Sequence, residues 1–280
     1  MKVELMVSEK DSSRTGVHDF FANPIQQSVA PGYLSPEKNE DFAGISADLS
    51  KYLNENAISE MIKVNSEITK ILSKFKIPLK INMKVLDNLV QNHLPETRKA
   101  AIGIANHLPD NFQPMINRKA LTEATSLHDL AKVIIPEDII NKRGSLTEEE
   151  FEIVKKHSDL SYEMLKSTDL DSQTLNLIKN HHQNAKKTGY PSVDENFVSD
   201  INLQILSLAD MYSALREKRS YKSEMSKEQA LAIINKEVKQ GKFSTYVFKA
   251  LVDYANEKNS IKLKPQRQVF NLEAVNSLGT

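Results

Sequence analysis

The sequence predicts an all-α fold, on three observations. Apolar residues recur at helical spacing through most of the chain, as in Ile58, Met61, Ile62, Ile68, Ile71 and Leu72. Helix-start signals are frequent: Thr147-Glu148-Glu149-Glu150 reads as a capping box, Ser226 with Gln229 as another cap, and Pro95 and Pro136 suit first-turn positions. No alternating apolar and polar run of strand length competes with them.

In chain order, residues 1–42 carry Asn23-Pro24, Pro31-Gly32 and Ser35-Pro36 with no sustained period, so a loosely ordered arm is expected. A helical N-terminal segment over 43–82 follows, stopped by Pro78. Its apolar stripe suits packing on the main domain, a homodimer seam or a signalling-protein partner. The main domain is expected over 83–256. A helix over 83–92 leads it, and Pro95 opens the next, through Ala100, Ala101, Ile104 and Ala105. Then come a helix at about 118–131, a short turn over 137–141, and a helix carrying Phe151, Ile153 and Val154 behind the capping box. Tyr162 and Leu165 mark one further helix, and Leu175, Leu177 and Ile178 another that ends at His181-His182. Helices over 201–216, from Ser226 to about 238, and over 244–256 complete it, and a peripheral tail covers 257–280.

Composition narrows the chemistry. The 280 residues are 40% hydrophobic, enough for a sizeable core. With 37 basic and 37 acidic residues, no net field draws the chain to a nucleic-acid polymer or an anionic membrane. An anionic ligand must therefore be held by a local positive patch. No cysteine is present, which excludes disulfides, thiolate catalysis and sulfur-ligated zinc, so any metal has only nitrogen and oxygen donors. The first ten residues hold too short an apolar run for a signal peptide, and no stretch reaches the roughly 20 apolar residues of a membrane span, so a cytoplasmic location is expected.

The stretch Thr125-Ser126-Leu127-His128-Asp129-Leu130-Ala131-Lys132 sets an imidazole beside a carboxylate at the end of an apolar helical run, with Lys132 expected on the face of His128. Such a dipeptide alone is commonplace. Of the seven histidines, His93, His128, His157 and the pair His181-His182 fall at or near the ends of separate helices, where side chains of a bundle can converge. Each has a plainer reading. His157 after Lys155-Lys156 suits a cation at a helix C-terminus, His93 faces either solvent or a ligand, and His107 before Leu108-Pro109 suits a surface turn. Adjacent His181 and His182 point about 100° apart on a helix, so they cannot both fill one ligand position without strain, and with two metals each could serve a different ion. Asp210, within Ile205-Leu206-Ser207-Leu208-Ala209-Asp210-Met211, carries more weight: an ionised carboxylate so surrounded needs a cation or several donors.

In order and spacing, His93, His128-Asp129, His157, His181-His182, Gly189-Tyr190-Pro191 and Asp210 resemble the HD-GYP branch of the HD-domain phosphohydrolases. Framing segments are similar too: Lys132, the run from Ile135 to Lys142, Leu146 to Phe151, and Asp210-Met211-Tyr212-Ser213-Ala214-Leu215 leading to Arg219-Ser220-Tyr221. The resemblance implies an HD-type helical bundle with two or three metal ions in its interior, usually iron or manganese, that hydrolyses cyclic di-GMP. It implies His93, His128, Asp129, His157, His181, His182 and Asp210 as ligands, with Asp129 bridging. Asp129 and Lys132 would be the catalytic residues, Lys132 near the reacting phosphate. Arg219 and Lys222 would hold the substrate's phosphates, and Gly189, Tyr190 and Pro191 would flank a base.

The sequence departs from that pattern in the loop. The family's His-His-Glu and Asp-Gly-x-Gly-Tyr-Pro become His181-His182-Gln183 and Lys186-Lys187-Thr188-Gly189-Tyr190-Pro191, which bears on substrate and rate and leaves the ligands in place. Leu89 stands where three-metal members carry Glu, so two divalent ions are expected. Imidazole with carboxylate suits iron or manganese, and also nickel or zinc. Two such ions activate water at neutral pH and neutralise charge on a phosphoryl group. Lys132, Lys186, Lys187, Arg219 and Lys222 offer the local positive patch, although Lys186-Lys187 equally suits a solvated loop. The alternatives are an HD-type hydrolase of another nucleotide phosphate, and a weakly active or inactive metal-containing signalling module.

Overall fold

A computed structural model describes residues 49–217 and 224–261, with side chains to residue 257. The arm over 1–42, Arg219, Lys222 and most of the tail therefore lie outside the described residues. Among the described residues every regular element is helical, so the all-α expectation holds.

The helical N-terminal segment forms two helices, α1 (Glu55–Val64) and α2 (Ser66–Lys74). Asn65 breaks them. Its backbone is extended, its side-chain oxygen accepts from the Glu67 amide, and its amide donates to the Glu163 carbonyl at 2.6 Å. One side chain thus caps α2 and pins it to the main bundle. The stripe Ile58, Met61, Ile62, Ile68 and Leu72 is buried in the chain's own core, so of the uses expected for it, packing on the main domain is the one observed.

Next, α3 (Met83–Asn88) passes through a π-helical turn, Leu89–His93, into α4 (Leu94–His107). Pro95 cannot donate to a carbonyl one turn back, and the wider turn just before it absorbs that gap without breaking the helix. After an Asn117 cap, α5 (Arg118–Leu127) ends earlier than expected. His128 terminates it, Asp129 sits at φ −100°, ψ 7°, and a 3-10 turn, Leu130–Ile134, follows. A short α6 (Glu137–Ile140) precedes α7 (Glu148–Leu165), whose capping box is formed as expected. This is one 18-residue helix rather than two, which puts His157 in its middle and removes the helix-end reading of that residue.

The remaining helices are α8 (Ser172–Asn180), α9 (Ile201–Arg216), α10 (Lys227–Lys239) and α11 (Thr245–Ile261). Asp171, Asp200 and Ser226 cap the first three through their side chains. At the centre lies α4, packed by α5, α9 and α11, while α8 packs on α5 and α7. Gly103 allows the α4–α11 approach: a Cβ there would fall 2.1 Å from a ring carbon of Tyr254. No helix among the described residues is long and apolar enough to cross a membrane.

Candidate metal centre

Five separate places in the chain deliver the predicted ligands to one interior point. His93 comes from the π-helical turn, His128 and Asp129 from the corner after α5, His157 from mid-α7, His181 and His182 from just beyond α8, and Asp210 from α9. His128, Asp129 and His157 have no solvent exposure at all. Helix ends and the π turn matter because each aims its side chain inward where the backbone departs from a regular helix.

Asp129 is the hub. Its Oδ1 lies 3.3 Å from His157 Nε2 and 3.9 Å from His181 Nε2, whereas its Oδ2 lies 3.4 Å from His93 Nε2 and 3.5 Å from His128 Nε2. Asp210 faces the same space from α9, with Oδ1 3.0 Å from His93 Nε2 and 3.7 Å from His128 Nε2, and Oδ2 3.8 Å from His182 Nδ1. Lys132 is buried and its Nζ meets Asp129 Oδ2 at 2.6 Å. It does so from a 3-10 turn, where positions three apart eclipse, and not from a shared α-helical face with His128 as the sequence suggested.

The rings are oriented for ligation. His157 Nδ1 donates to the Val154 carbonyl and His181 Nδ1 to the Ile178 carbonyl, both at 2.7 Å. A carbonyl only accepts, so each Nδ1 carries the proton and each Nε2 turns a lone pair into the centre. His157 Nε2 then lies 3.2 Å from His181 Nε2 and 3.1 Å from His182 Nε2. Facing lone pairs at that distance repel unless a proton or a cation lies between them. Asp129 Oδ1, Asp210 Oδ2 and both ring nitrogens of His128 are buried with no hydrogen-bond partner. Orphaned carboxylate and imidazole donors around one point are what a hard-to-borderline divalent cation satisfies. These residues can hold metal ions: three overlapping donor sets form, namely Asp129 with His157, His181 and His182; His93 with His128 and Asp129; and His128 with His181 and Asp210.

Electrostatics points the same way. Burial raises the Asp129 carboxyl, but Lys132 and then His128, His157 and His93 more than offset it and hold it well below the usual carboxylate range. Burial likewise raises Asp210, and the imidazoles of His128 and His93 beside it override that and hold it well below the usual carboxylate range. Burial pushes His157 down to about 4 and His181 and His182 well below the ordinary histidine value. Burial also lowers His128, but Asp129 and Asp210 outweigh it, so its net shift is upward. At neutral pH the centre therefore presents two carboxylates and mostly neutral imidazoles, the protonation state that binds cations.

Gly189, Tyr190 and Pro191 close one wall. A Cβ on Gly189 would fall 1.9 Å from the His182 carbonyl oxygen, so only glycine fits that approach. Tyr190 is buried, its ring centroid 4.5 Å from that of His182 and 6.2 Å from that of His157. It backs the ligands, while Gly189 and Pro191 on either side of it are half-buried. Lys186 and Lys187 are exposed, and Lys187 Nζ donates to the Glu195 carbonyl, in keeping with the solvated-loop reading. His107 stands apart from the cluster at the end of α4, bonded to the Gly103 carbonyl and 3.0 Å from Glu257.

Sequence reasoning missed the supports. Ser207 donates to the His181 carbonyl at 2.7 Å, Ser161 accepts from the Ala131 amide at 2.9 Å, and Glu217 Oε2 lies 3.8 Å from His93 Nδ1. A signal for them existed in helical spacing: Ser207 precedes Asp210 by one turn, Ser161 follows His157 by one turn, and Glu217 follows Asp210 by two.

A sequence model of the HD domain matches residues 84–247, more than half of the chain. The chain belongs to the HD-domain family. The chain is 31% identical over 135 residues to the 3'3'-cGAMP-specific phosphodiesterase 1 of Vibrio cholerae, covering 48% of this chain and 31% of that protein. It is 27% identical over 202 residues to a probable cyclic di-GMP phosphodiesterase of the same organism, covering 68% of this chain and 46% of that one. It is 34% identical over 113 residues to the cyclic di-GMP phosphodiesterase response regulator RpfG of Xanthomonas campestris, covering 40% of this chain and 30% of that one. The chain thus spans less than half the length of each of these curated relatives.

Proposed function

We propose that this chain is a metal-dependent phosphodiesterase that hydrolyses a cyclic dinucleotide, cyclic di-GMP first among them, in the cytoplasm, with residues 83–256 as the catalytic unit. The observation that carries the reading is the Asp129 carboxylate, whose two oxygens face two different groups of histidines. That is the disposition expected of a carboxylate bridging two ions. The names of the relatives, cyclic di-GMP and 3'3'-cGAMP phosphodiesterases, supply the substrate class.

In this reading His93, His128, His157, His181, His182, Asp129 and Asp210 would hold two divalent ions, iron or manganese, with nickel and zinc as chemically suited substitutes. When bound, such a pair would supply Lewis acidity and a hydroxide nucleophile from water at neutral pH. The chain's own residues do the rest. The Val154 and Ile178 carbonyls fix the tautomers of His157 and His181. Lys132, held by Asp129, places a positive charge at the edge of the centre where a scissile phosphate would sit. Arg219 and Lys222 are assigned to the substrate's phosphates on the resemblance alone, and the Tyr190 ring packs against that of His182.

The test is hydrolysis of cyclic di-GMP, 3'3'-cGAMP and cyclic di-AMP by anaerobically purified, metal-loaded protein, followed by chromatography of the products. Linear dinucleotide or mononucleotide from cyclic di-GMP supports the reading. Turnover of only another nucleotide moves the substrate, and metal-replete protein with no turnover of any leaves a metal-containing signalling module.

A further inference from the structure

The wall formed by residues 183–191 is tied together by one buried side chain. Gln183 is 1% exposed. Its amide nitrogen donates to the Pro191 carbonyl at 2.7 Å, and its amide oxygen accepts from the backbone N–H groups of Gly189 and Asn184, each at 3.2 Å. The three partners are one acceptor and two donors, so only an amide, and only in this orientation, satisfies them all. A hydrocarbon would leave all three bare, and a carboxylate would set an anion against the Pro191 carbonyl. By contrast, the Asn184 side chain bonds within the outer turn, to the Lys186 amide and Thr188.

What the clamp holds in place is Tyr190. The residues on either side of it are gripped by Gln183, its own N–H donates to the His182 carbonyl at 3.4 Å, and its ring lies against that of His182 at an interplanar angle of 38°. Gly189 is pressed so closely on the His182 backbone that any side chain would collide with it. His182 lies beyond the end of α8, its Nε2 3.1 Å from His157 Nε2.

We propose that Gln183 is a positioning residue that locks the 183–191 turn, Tyr190 included, so that the loop meets a large substrate in one preset shape. The substrate half of this inference rests on the phosphodiesterase reading above, whereas the clamp does not. A polar side chain that merely satisfies buried backbone would, when removed, weaken the whole fold. A positioning residue acts locally and on the substrate that spans the loop.

The experiment uses the full chain with Gln183→Leu and the isosteric Gln183→Glu, the latter keeping the fold should the former fail to express. Backbone hydrogen exchange is measured on metal-free protein, and steady-state kinetics on metal-loaded protein with cyclic di-GMP and with bis(p-nitrophenyl) phosphate, a small diester that does not span the loop. The proposal expects exchange in the 183–192 peptide to accelerate tenfold or more, with α8 and α9 unchanged. It expects KM for cyclic di-GMP to rise tenfold or more, with kcat on the small diester within twofold of the unmodified protein. Unchanged exchange at 183–192, or acceleration spread equally over the bundle, overturns the clamp. Equal losses on both substrates overturn its positioning role. An unmodified protein inactive on both substrates refutes the phosphodiesterase reading instead, and the exchange measurement still decides the clamp.

Discussion

His157 and His181 face each other Nε2 to Nε2 at 3.2 Å, each already committed at Nδ1 to a carbonyl of its own helix. Neither can turn away without abandoning a buried carbonyl, so the two lone pairs are held against each other by the fold. Positive charge between them relieves that repulsion. Bound metal should therefore stabilise the protein, and chelation should lower its melting temperature. At a free ion concentration 100 times the dissociation constant, one site contributes about 2.7 kcal/mol, several degrees for a chain of this size. Differential scanning calorimetry with and without chelator reads the shift, and coincident curves would contradict it.

The metal-free protein should lose stability in acid. His157 has a folded pKa of about 4 against an ordinary 6.5. Between those values the unfolded chain binds a proton that the folded one refuses, so stability falls as pH drops through that window. Going from pH 7.5 to 5 should cost about 2 kcal/mol from His157 alone. His181 and His182, also pushed down by burial, add to the loss, while His128, whose net shift is upward, opposes it. Thermal unfolding across pH 5–7.5 measures the slope, and a flat or inverted slope would show that these imidazoles are not buried neutral.

Asp129→Asn removes the charge that sits between the two groups of histidines and leaves the shape. Metal content should fall by at least one ion per chain, and hydrolysis by more than 100-fold, since about 2.7 kcal/mol of lost transition-state stabilisation already gives that factor. Full metal content with full activity would place the centre elsewhere.

Arg219→Ala should act on substrate and not on metal. A guanidinium on a phosphate makes charge-assisted bonds worth about 1.5–3 kcal/mol each, so KM for the dinucleotide should rise roughly 10- to 100-fold with metal content unchanged. A loss confined to kcat would put Arg219 at the reacting phosphoryl group, and no change at all would make it a surface arginine.

Gly103→Ala tests the packing that sets α4 against α11. The added methyl would stand 2.1 Å from a Tyr254 ring carbon, so the helices or the ring must shift, at a cost of about 1–3 kcal/mol. Urea unfolding should show the loss, and Gly103→Ala with Tyr254→Leu should recover part of it.

Much of this was legible in the residues, and what was not has physical reasons. Helix class and most boundaries followed from apolar spacing and caps, as at Ser226 with Gln229, where both capping-box bonds form. The convergence of His93, His128, His157, His181, His182 and Asp210 was readable from their order along consecutive helices. The π turn before Pro95 and the 3-10 turn after Asp129 were not, because each is a local answer to tertiary packing rather than to propensity. His157 looked like a helix end because Lys155-Lys156 precede it, yet α7 runs on for eight more residues to Leu165. The inward turn of Tyr190 depends on Gln183 reaching across eight residues to Pro191, a contact that no periodicity announces.

The central claim, a centre of two ions bridged by Asp129, is tested most directly by elemental analysis of anaerobically purified protein beside Asp129→Asn. The account predicts close to two iron or manganese ions per chain in the unmodified protein and one or none in the variant. An unmodified protein that holds no transition metal, or a variant that holds as much as its parent, would contradict it.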